Sequence, residues 1–531
     1  MHSTMKRFSV ALIIFSLVVT TQAQTAMTAG ATNTPSGYQW LFNGTNAQTN
    51  TTASATNANA RPMSLQDCIQ EALQHNLDVQ IQRYNPQISL YDLRAAYSGY
   101  DPTLNISGQH GYNVSPGGFT SQQIPIPSTT SKSDVFDSGI GGSLPWGLQY
   151  AFTGDISDRR FTSSTNFTET SSGSIGVQLT QPLLKNFWID TTRLNIRVAK
   201  NRLKYSEQGL RQQIITSATA VENAYYELIF AQENVKVKQD ALALAQTQLD
   251  QDNQRVQIGS IAERAGTIEQ DKAQVAQGQA DLISALSTLG TDQRVLKNLL
   301  TDEYSKWFAQ DIQPVETLTA PEQTFNLQDS WRKGMTERPD LLQARLNVEQ
   351  QGIQLKYARN QLFPELDLTG TYGFNGASAE FNDTFGQFKE GNAPFYSYGA
   401  QMTVPLSNIG ARNQYKASKA ALQQVVLLLK QLEQLVMVEI DNAVGVAESD
   451  YQSVQASRQA RIYAEAALDA EQKKYAVGKS TTFTVLQLQN KLTAARSQEI
   501  RDLANYNQAL ATLAAQEGST LERDNIHLEV N

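Results

Sequence analysis

The chain has 531 residues, of which 40% are hydrophobic and 18% charged, and a net charge of −8. That length allows roughly two to four ordinary domains or one large repetitive one. The acidic balance, with no basic stripe to displace phosphate counterions, excludes nucleic acid as a partner, and a single cysteine, Cys68, excludes an internal disulfide framework.

The first element is a leader. Lys6 and Arg7 precede an apolar run from Phe8 to Val19, and small and polar residues follow, with a cut expected after Ala23. Residues 1–23 therefore read as a secretory signal, too short to serve as a stable anchor. Residues 24–62 are rich in Thr, Asn, Ala and Gln and poor in large apolar groups, which predicts a mobile linker. Cys68 falls inside the next helical segment and reads as a small buried residue. Beyond the signal, the most apolar stretch is 425–440, interrupted by Lys430, Gln431, Glu433, Gln434 and Glu439. An exported chain of this kind can cross a membrane only as a closed barrel.

Residues 63–112 predict a short helix, a second helix, a break at Pro102 and an alternating strand. Laid without a gap over 325–374, this stretch matches at 12 of 50 positions, Asp67/Asp329, Arg83/Arg345, Pro102/Pro364 and Gly108/Gly370 among them. Chance would give about three, so the match reads as an internal duplication. The strands themselves have period two: Leu366, Leu368, Gly370, Tyr372 and Phe374 lie on one face, with Asp367, Thr369, Thr371 and Gly373 on the other.

Residues 136–157 alternate in the same way from Ile140 to Ile156, broken at LPWG (144–147). They could form an extra hairpin inside or outside the main sheet. The sequence favours four strands per chain and leaves six open. SIGVQLTQPLL (174–184) and YGAQMTVPLS (398–407) are a further matched pair of strands, each ending in Pro-Leu and each followed by a very long helical stretch.

From about 190 to 257, Ile214, Val221, Leu228, Val235, Leu242, Leu249 and Val256 recur every seven residues. Ile268, Val275, Leu282, Leu289 and Leu296 repeat the pattern after a break at Gly259. Sustained sevens predict left-handed supercoiling, and about 65 helical residues span about 100 Å. The companion seam positions are small (Ala224, Ala231, Ala245) or Gln, which suits close packing of the helices. The second copy is looser, with Leu422, Leu429, Val436 and Ala443, a turn at YAVGKS (475–480) and a helix to about 516.

In these features the chain resembles the TolC family of outer-membrane efflux channels. The residues that carry the likeness are the paired openings SLQDCIQEALQHN and NLQDSWRKGMTERPD, the breaks at Pro102 and Pro364, and the strand ends QPLL and VPLS. The hairpin turns RVQIG (255–259) and KYAVG (474–478) add to it, so that it spans about 63–518. The resemblance implies a mixed α and β membrane protein: a homotrimer whose outer-membrane β-barrel continues into a periplasmic α-helical coiled-coil barrel. It implies a signal (1–23), a linker (24–62), a first repeat (63–300), an equatorial connection (301–324), a second repeat (325–518) and a tail (519–531). Four strands per chain would make a twelve-stranded barrel. The implied function is a passive export duct for small molecules or proteins, fed by a periplasmic adaptor and an inner-membrane pump. A non-conducting envelope tether or adhesin is the alternative.

Family channels close at the periplasmic tip of their helical hairpins. Carried over by resemblance, the tip tyrosine falls on Tyr475 beside Gly478, and its arginine partner on Ser480 with Lys479 adjacent. The acceptor pair of the first hairpin falls on Arg264 and Ala265, with Glu263 next to them. The acidic ring of the family falls on Thr484 and Gln487. The gate and adaptor-docking turns are thus expected at Arg255, Gly259, Glu263 and Arg264 and at Tyr475, Gly478, Lys479, Ser480, Thr484 and Gln487, with Glu263 to Lys479 as the natural charge pair. The four histidines, His2, His75, His110 and His527, are scattered without metal-ligand spacing. Asp67 and Asp329 sit where carboxylates stabilise helix starts. No catalytic, cofactor or metal residues are expected, and the chain reads as a non-enzyme.

Overall fold

The structure, a computed structural model, describes residues 60–163, 166–257 and 267–526. The signal segment and nearly all of the expected linker lie outside them. The last linker residues do not behave as one: Ala60–Met63 form a strand (β1) paired in parallel with Asp311–Pro314.

Two helices follow, α1 (Leu65–His75) and α2 (Leu77–Ala96). Ser64 and Asp67 close a capping box on α1, each side chain accepting from the other's backbone N–H, and Asn76 caps α2 through Asp78 and Val79. The corresponding pair in the second half is α5 and α6, Leu327–Glu337 and Pro339–Asn360. One contact repeats at the same spacing. The Arg83 guanidinium donates to the Leu73 carbonyl at 2.8 Å, and Arg345 donates to the Met335 carbonyl at 2.9 Å.

Between and after these pairs run the strands β2 (Thr103–Ser115), β3 (Thr129–Ser143), β4 (Gln149–Ser163) and β5 (Phe167–Pro182), then β7 (Glu365–Ser378) and β8 (Pro394–Thr403), with Asp311–Pro314 as β6. All but β6, which pairs with β1, form one antiparallel sheet in the order β8-β7-β5-β4-β3-β2. The sheet therefore has six strands, not the four that the sequence favours. The reason is the LPWG stretch, which turns the chain instead of breaking the strand. Gly147 takes φ +93°, Leu144 N–H donates to the Leu148 carbonyl at 2.8 Å, and the hairpin is inserted between β2 and β5.

Register puts all the apolar alternations on one face. Leu104 lies opposite Ile140, Ile140 opposite Phe152, Phe152 opposite Val177, Val177 opposite Tyr372, and Tyr372 opposite Tyr396. Leu366 and Met402 are paired on the same face. The other face carries Gln109, Asp137, Asp155, Ser174, Thr371, Ser397 and Gln401, with short bonds between Ser107 and Asp137 (3.2 Å) and between Thr371 and Ser397 (2.6 Å). Between β7 and β8 the chain inserts a short helix, α7 (Phe381–Glu390), which packs across the apolar face.

Four long helices complete the chain: α3 (Thr191–Gln257), α4 (Thr267–Leu300), α8 (Ile409–Ala476) and α9 (Thr482–Glu517). The heptad residues Ile214, Val221, Leu228 and Val235 are buried as the period requires. Where α1, α3, α4 and the β1–β6 pair meet, a core forms around Cys68, Val221, Tyr225, Leu228, Leu296 and Ile312. Burial pushes the Cys68 thiol up to about 12, which leaves it inert. Past α9 the expected tail is partly packed: Thr520–Arg523 make a last helical turn, with Leu521 buried against Val79, Ile214 and Ile215.

Candidate functional site

The second helical hairpin turns between α8 and α9. Gly478 takes φ +72°, a left-handed conformation that favours glycine, and its N–H donates to the Tyr475 carbonyl at 3.0 Å. Lys479 N–H closes the turn on the Lys474 carbonyl at 2.9 Å. Thr481 then caps α9: its hydroxyl accepts from Thr484 N–H and lies 2.9 Å from the Thr484 hydroxyl. Ser480 donates to Glu471 at 2.5 Å, and Lys474 pairs with the other oxygen of Glu471 at 2.9 Å.

This geometry aims Tyr475 inward. The residue is buried, with the Arg255 guanidinium stacked over its ring at 4.5 Å. Its hydroxyl donates to Asp252 Oδ1 at 2.6 Å and lies 2.8 Å from the Thr482 hydroxyl. Thr482 in turn donates to Asp252 Oδ2 at 3.0 Å, and Gln248 Nε2 donates to the same oxygen at 3.0 Å. One carboxylate on α3 thus ties the turn of the second hairpin to the first.

Asp271, on α4, is fully buried beside this node, and neither of its oxygens has a donor among the described residues. Burial, and then the charge of Asp252, push its carboxyl up to about 7. Once protonated, Asp271 can donate to Asp252.

Above the node, further polar links join the hairpins. Gln274 and Asn490 exchange amide bonds at 2.7 and 3.1 Å, and Ser497 donates to Asn234 at 2.9 Å. Arg501 grips Glu227 with two bonds at 2.8 and 2.9 Å while lying over Phe230. Asp252 is the lowest of these links. The chemistry on offer is that of a latch. Among the described residues, no group of three or more His, Cys, Asp or Glu could hold a metal.

Of the expected gate residues, Arg255, Tyr475, Ser480 and Thr484 engage in the contacts above, while Lys479 and Gln487 are exposed. Gly259, Glu263 and Arg264, and with them the expected Glu263–Lys479 pair, lie outside the described residues. Sequence reading missed Asp252, Asp271 and Thr482. A signal was present for the first two. Asp252 continues the inward seam of Ala231 and Ala245, and Asp271 stands three residues after Ile268 as Ala285 does after Leu282. A carboxylate on a coiled-coil seam demands a buried partner.

The sign of the pH effect follows from Asp271. Its folded pKa is raised from 3.8 to about 7, so the stability it confers is full below about pH 4 and is lost as pH rises through about 7. Amide exchange over 482–490, corrected for its intrinsic rate, should be slower at pH 5 than at pH 8. In Asp271→Asn, which keeps a donor without the charge, that difference should vanish; its persistence would place the titrating group elsewhere.

A family model described as "Outer membrane efflux protein" matches residues 68–301 and 334–519. The chain is 25% identical over 358 residues to the outer membrane protein TolC of Vibrio cholerae, covering 65% of this chain and 78% of that protein. It is 26% identical over 329 residues to the outer membrane efflux protein BepC of Brucella suis, covering 61% and 67%. Among solved structures, the CmeC outer membrane channel of Campylobacter jejuni superposes with a TM-score of 0.62 at 14% identity, over 88% of this chain and 90% of that one. The outer membrane protein VceC of Vibrio cholerae gives 0.62 at 18% identity, over 86% and 96%.

Proposed function

The chain belongs to the outer membrane efflux protein family, and from that premise we propose that it is the passive outer-membrane duct of a tripartite export system, working as a homotrimer. The observation that carries the proposal is the sheet. It is apolar on one face and polar on the other and ends in two free edges, β2 and β8, that run in opposite directions. Such a sheet buries its edges when β2 of one copy pairs with β8 of the next. Three copies give eighteen strands around a polar lumen.

Two unpartnered stripes support a multi-copy assembly. Leu77, Ile81, Tyr84, Ile88 and Tyr91 follow helical spacing along α2 and are all exposed in the single chain. Leu427, Leu428, Leu435 and Val438 do the same on α8, the one helix among the described residues that is long and apolar enough by composition to cross a membrane. The charged and amide residues between them suit a contact between subunits better than lipid. The matched bonds of Arg83 and Arg345 support reading 63–300 and 325–518 as two copies of one unit, joined by 301–324.

The adaptor would dock on the turns at 255–266 and 474–485, and the pump would supply the energy. Purified trimers in planar bilayers should conduct, and conduct more when the latch is cut; a tether would stay silent in both states. Loss of the gene should sensitise cells to several unrelated toxic compounds. Unchanged susceptibility to all of them, with no lost secretion, would overturn the export role.

The strand phase has its own test. Met402 lies on the apolar face and Gln401 on the polar one. Tyr398 shares the face of Met402 at the middle of β8, and Tyr398→Arg should cost about 2–4 kcal/mol, measured as loss of trimer in a denaturant series. Gln401→Arg should leave the trimer intact and change its ion selectivity. Equal losses would mean that the assigned phase is wrong, and a larger loss from Gln401→Arg that it is inverted.

A further inference from the structure

The apolar face of the sheet is not uniformly filled. Along one row of the register, Ile106 lies opposite Ser138, Ser138 opposite Gly154, Gly154 opposite Ile175, and Ile175 opposite Phe374. Two small residues thus sit side by side among large ones. Phe136 and Ile156 wall the dent above, and Ile140 and Phe152 wall it below. The result is an apolar groove, with cavities of about 670 and 350 Å³ that share Ser138, Gly154 and Ile175 as floor.

Helix α7 roofs it. Phe381 meets Phe136 edge to face at 5.8 Å, and Phe385 and Phe388 follow at helical spacing towards the groove. The helix is held close by Gly376, where a Cβ would come within 2.9 Å of both the Phe388 ring and the Thr384 carbonyl. Gln387 fixes it from the side, bonding both the N–H and the carbonyl of Ala377 at 2.9 Å. At the mouth stands Lys389, exposed and in no ion pair among the described residues. A strand-to-strand connection needs none of this; the helix, its glycine seat and its clamp build an apolar slot with one cation at its rim.

Because α7 joins the ends of β7 and β8 farthest from the long helices, it lies at the outer side of the membrane. We propose that the groove binds an outer-leaflet lipid, one acyl chain lying over Ser138 and Gly154 and a phosphorylated headgroup held by Lys389. The proposal rests on the reading above that the apolar face meets lipid. An annular lipid would contact the whole band equally. Here, shape selects a chain and Lys389 selects an anion, as basic residues beside membranes do.

The test is photolabelling of the full trimer in phosphatidylcholine vesicles holding trace phosphatidic acid with a diazirine on one acyl chain, with adducts mapped by mass spectrometry. Adducts within 136–156 and 381–390 should saturate at probe ratios at least ten-fold below those that label Tyr398–Val404. Gly154→Phe, or the milder Ser138→Leu, should lower groove labelling at least ten-fold while leaving band labelling intact in trimers that still assemble. Lys389→Ala should remove the preference for phosphatidic acid over a phosphatidylcholine probe. Groove labelling that only tracks the band, or that survives both filling variants, overturns the lipid site alone. Labelling of Gln401 and Thr403 in place of Met402 and Val404 overturns the lipid-facing reading itself, and the site with it.

Discussion

Asp252→Ala should open the tip of the duct, raising single-channel conductance several-fold over the parent. The carboxylate accepts from three groups at once, the hydroxyls of Tyr475 and Thr482 and the amide of Gln248. Hydrogen bonds to a charged acceptor contribute about 1.5–3 kcal/mol each. Two of these three cross between hairpins, and their loss also leaves buried donors unpaired. Tyr475→Phe removes one bond and should have a smaller effect, while Asp252→Asn should fall between. Exposed charge pairs at the turn are each worth only about 0–1 kcal/mol, so Lys479→Ala should do less than any of them. An adaptor that favours the open state by a few kcal/mol suffices to release such a latch. Parent-like conductance in Asp252→Ala would place the constriction elsewhere along the helices.

The second large effect belongs to stability. Glu222, on α3, is buried to 1% exposure and is held by the Arg523 guanidinium, which also bonds Asp524 at 3.0 Å and the Leu510 carbonyl at 3.2 Å. Burial pushes the Glu222 carboxyl up, and Arg523 pulls it back. Removing one partner of a fully buried pair typically costs about 3–5 kcal/mol, because the other charge stays behind uncompensated, and the partial exposure of Arg523 puts this pair below that range. Arg523→Ala should therefore lower the thermal midpoint of the purified protein in detergent. Its deficit should be smaller at pH 5, where Glu222 takes up a proton, than at pH 8, because a carboxyl with a raised folded pKa loses its contribution as pH rises. Adding Glu222→Gln should restore much of the loss. A deficit independent of pH and of Glu222 would mean that Arg523 acts through packing alone.

Much of the architecture was legible because it rests on two clean periods. Leu366 to Phe374 and Tyr398 to Val404 alternate strictly, and the sevens from Ile214 to Val256 run unbroken, so faces and lengths followed directly. The inserted hairpin was harder to read. Its strands of 15 residues each are apolar over only half their length; beyond Asp134 and Asp158 a single apolar residue, Phe161, remains, and the apolar alternation stops while the backbone ladder continues. The β1–β6 pair is four residues long and parallel, set by contacts some 250 residues apart that no local pattern announces. Helix α7 has three phenylalanines at helical spacing, but it lies in a connection where no helix was expected. At the tip, Tyr475 was found by resemblance, whereas Asp252 and Asp271 matter through burial, which only the packed helices create. The Glu222–Arg523 pair joins residues 301 positions apart and carries no motif.

In the trimer proposed above, the six-stranded sheet would set the bore of the assembly. At about 4.8 Å between strands and a tilt of about 40°, eighteen strands have a girth of about 110 Å. At the foot of the sheet each copy carries four helices, α2, α3, α6 and α8, and twelve of them at about 8–10 Å come to about 100–120 Å. The two cylinders therefore meet at nearly equal circumference, and neither has to flare or pinch where one gives way to the other. Twelve strands at the same tilt would reach only about 75 Å, a collar narrower than the tube beneath it. With the outer mouth as wide as the shaft, such an assembly would concentrate its resistance to flow at one end, the far end of the long helices.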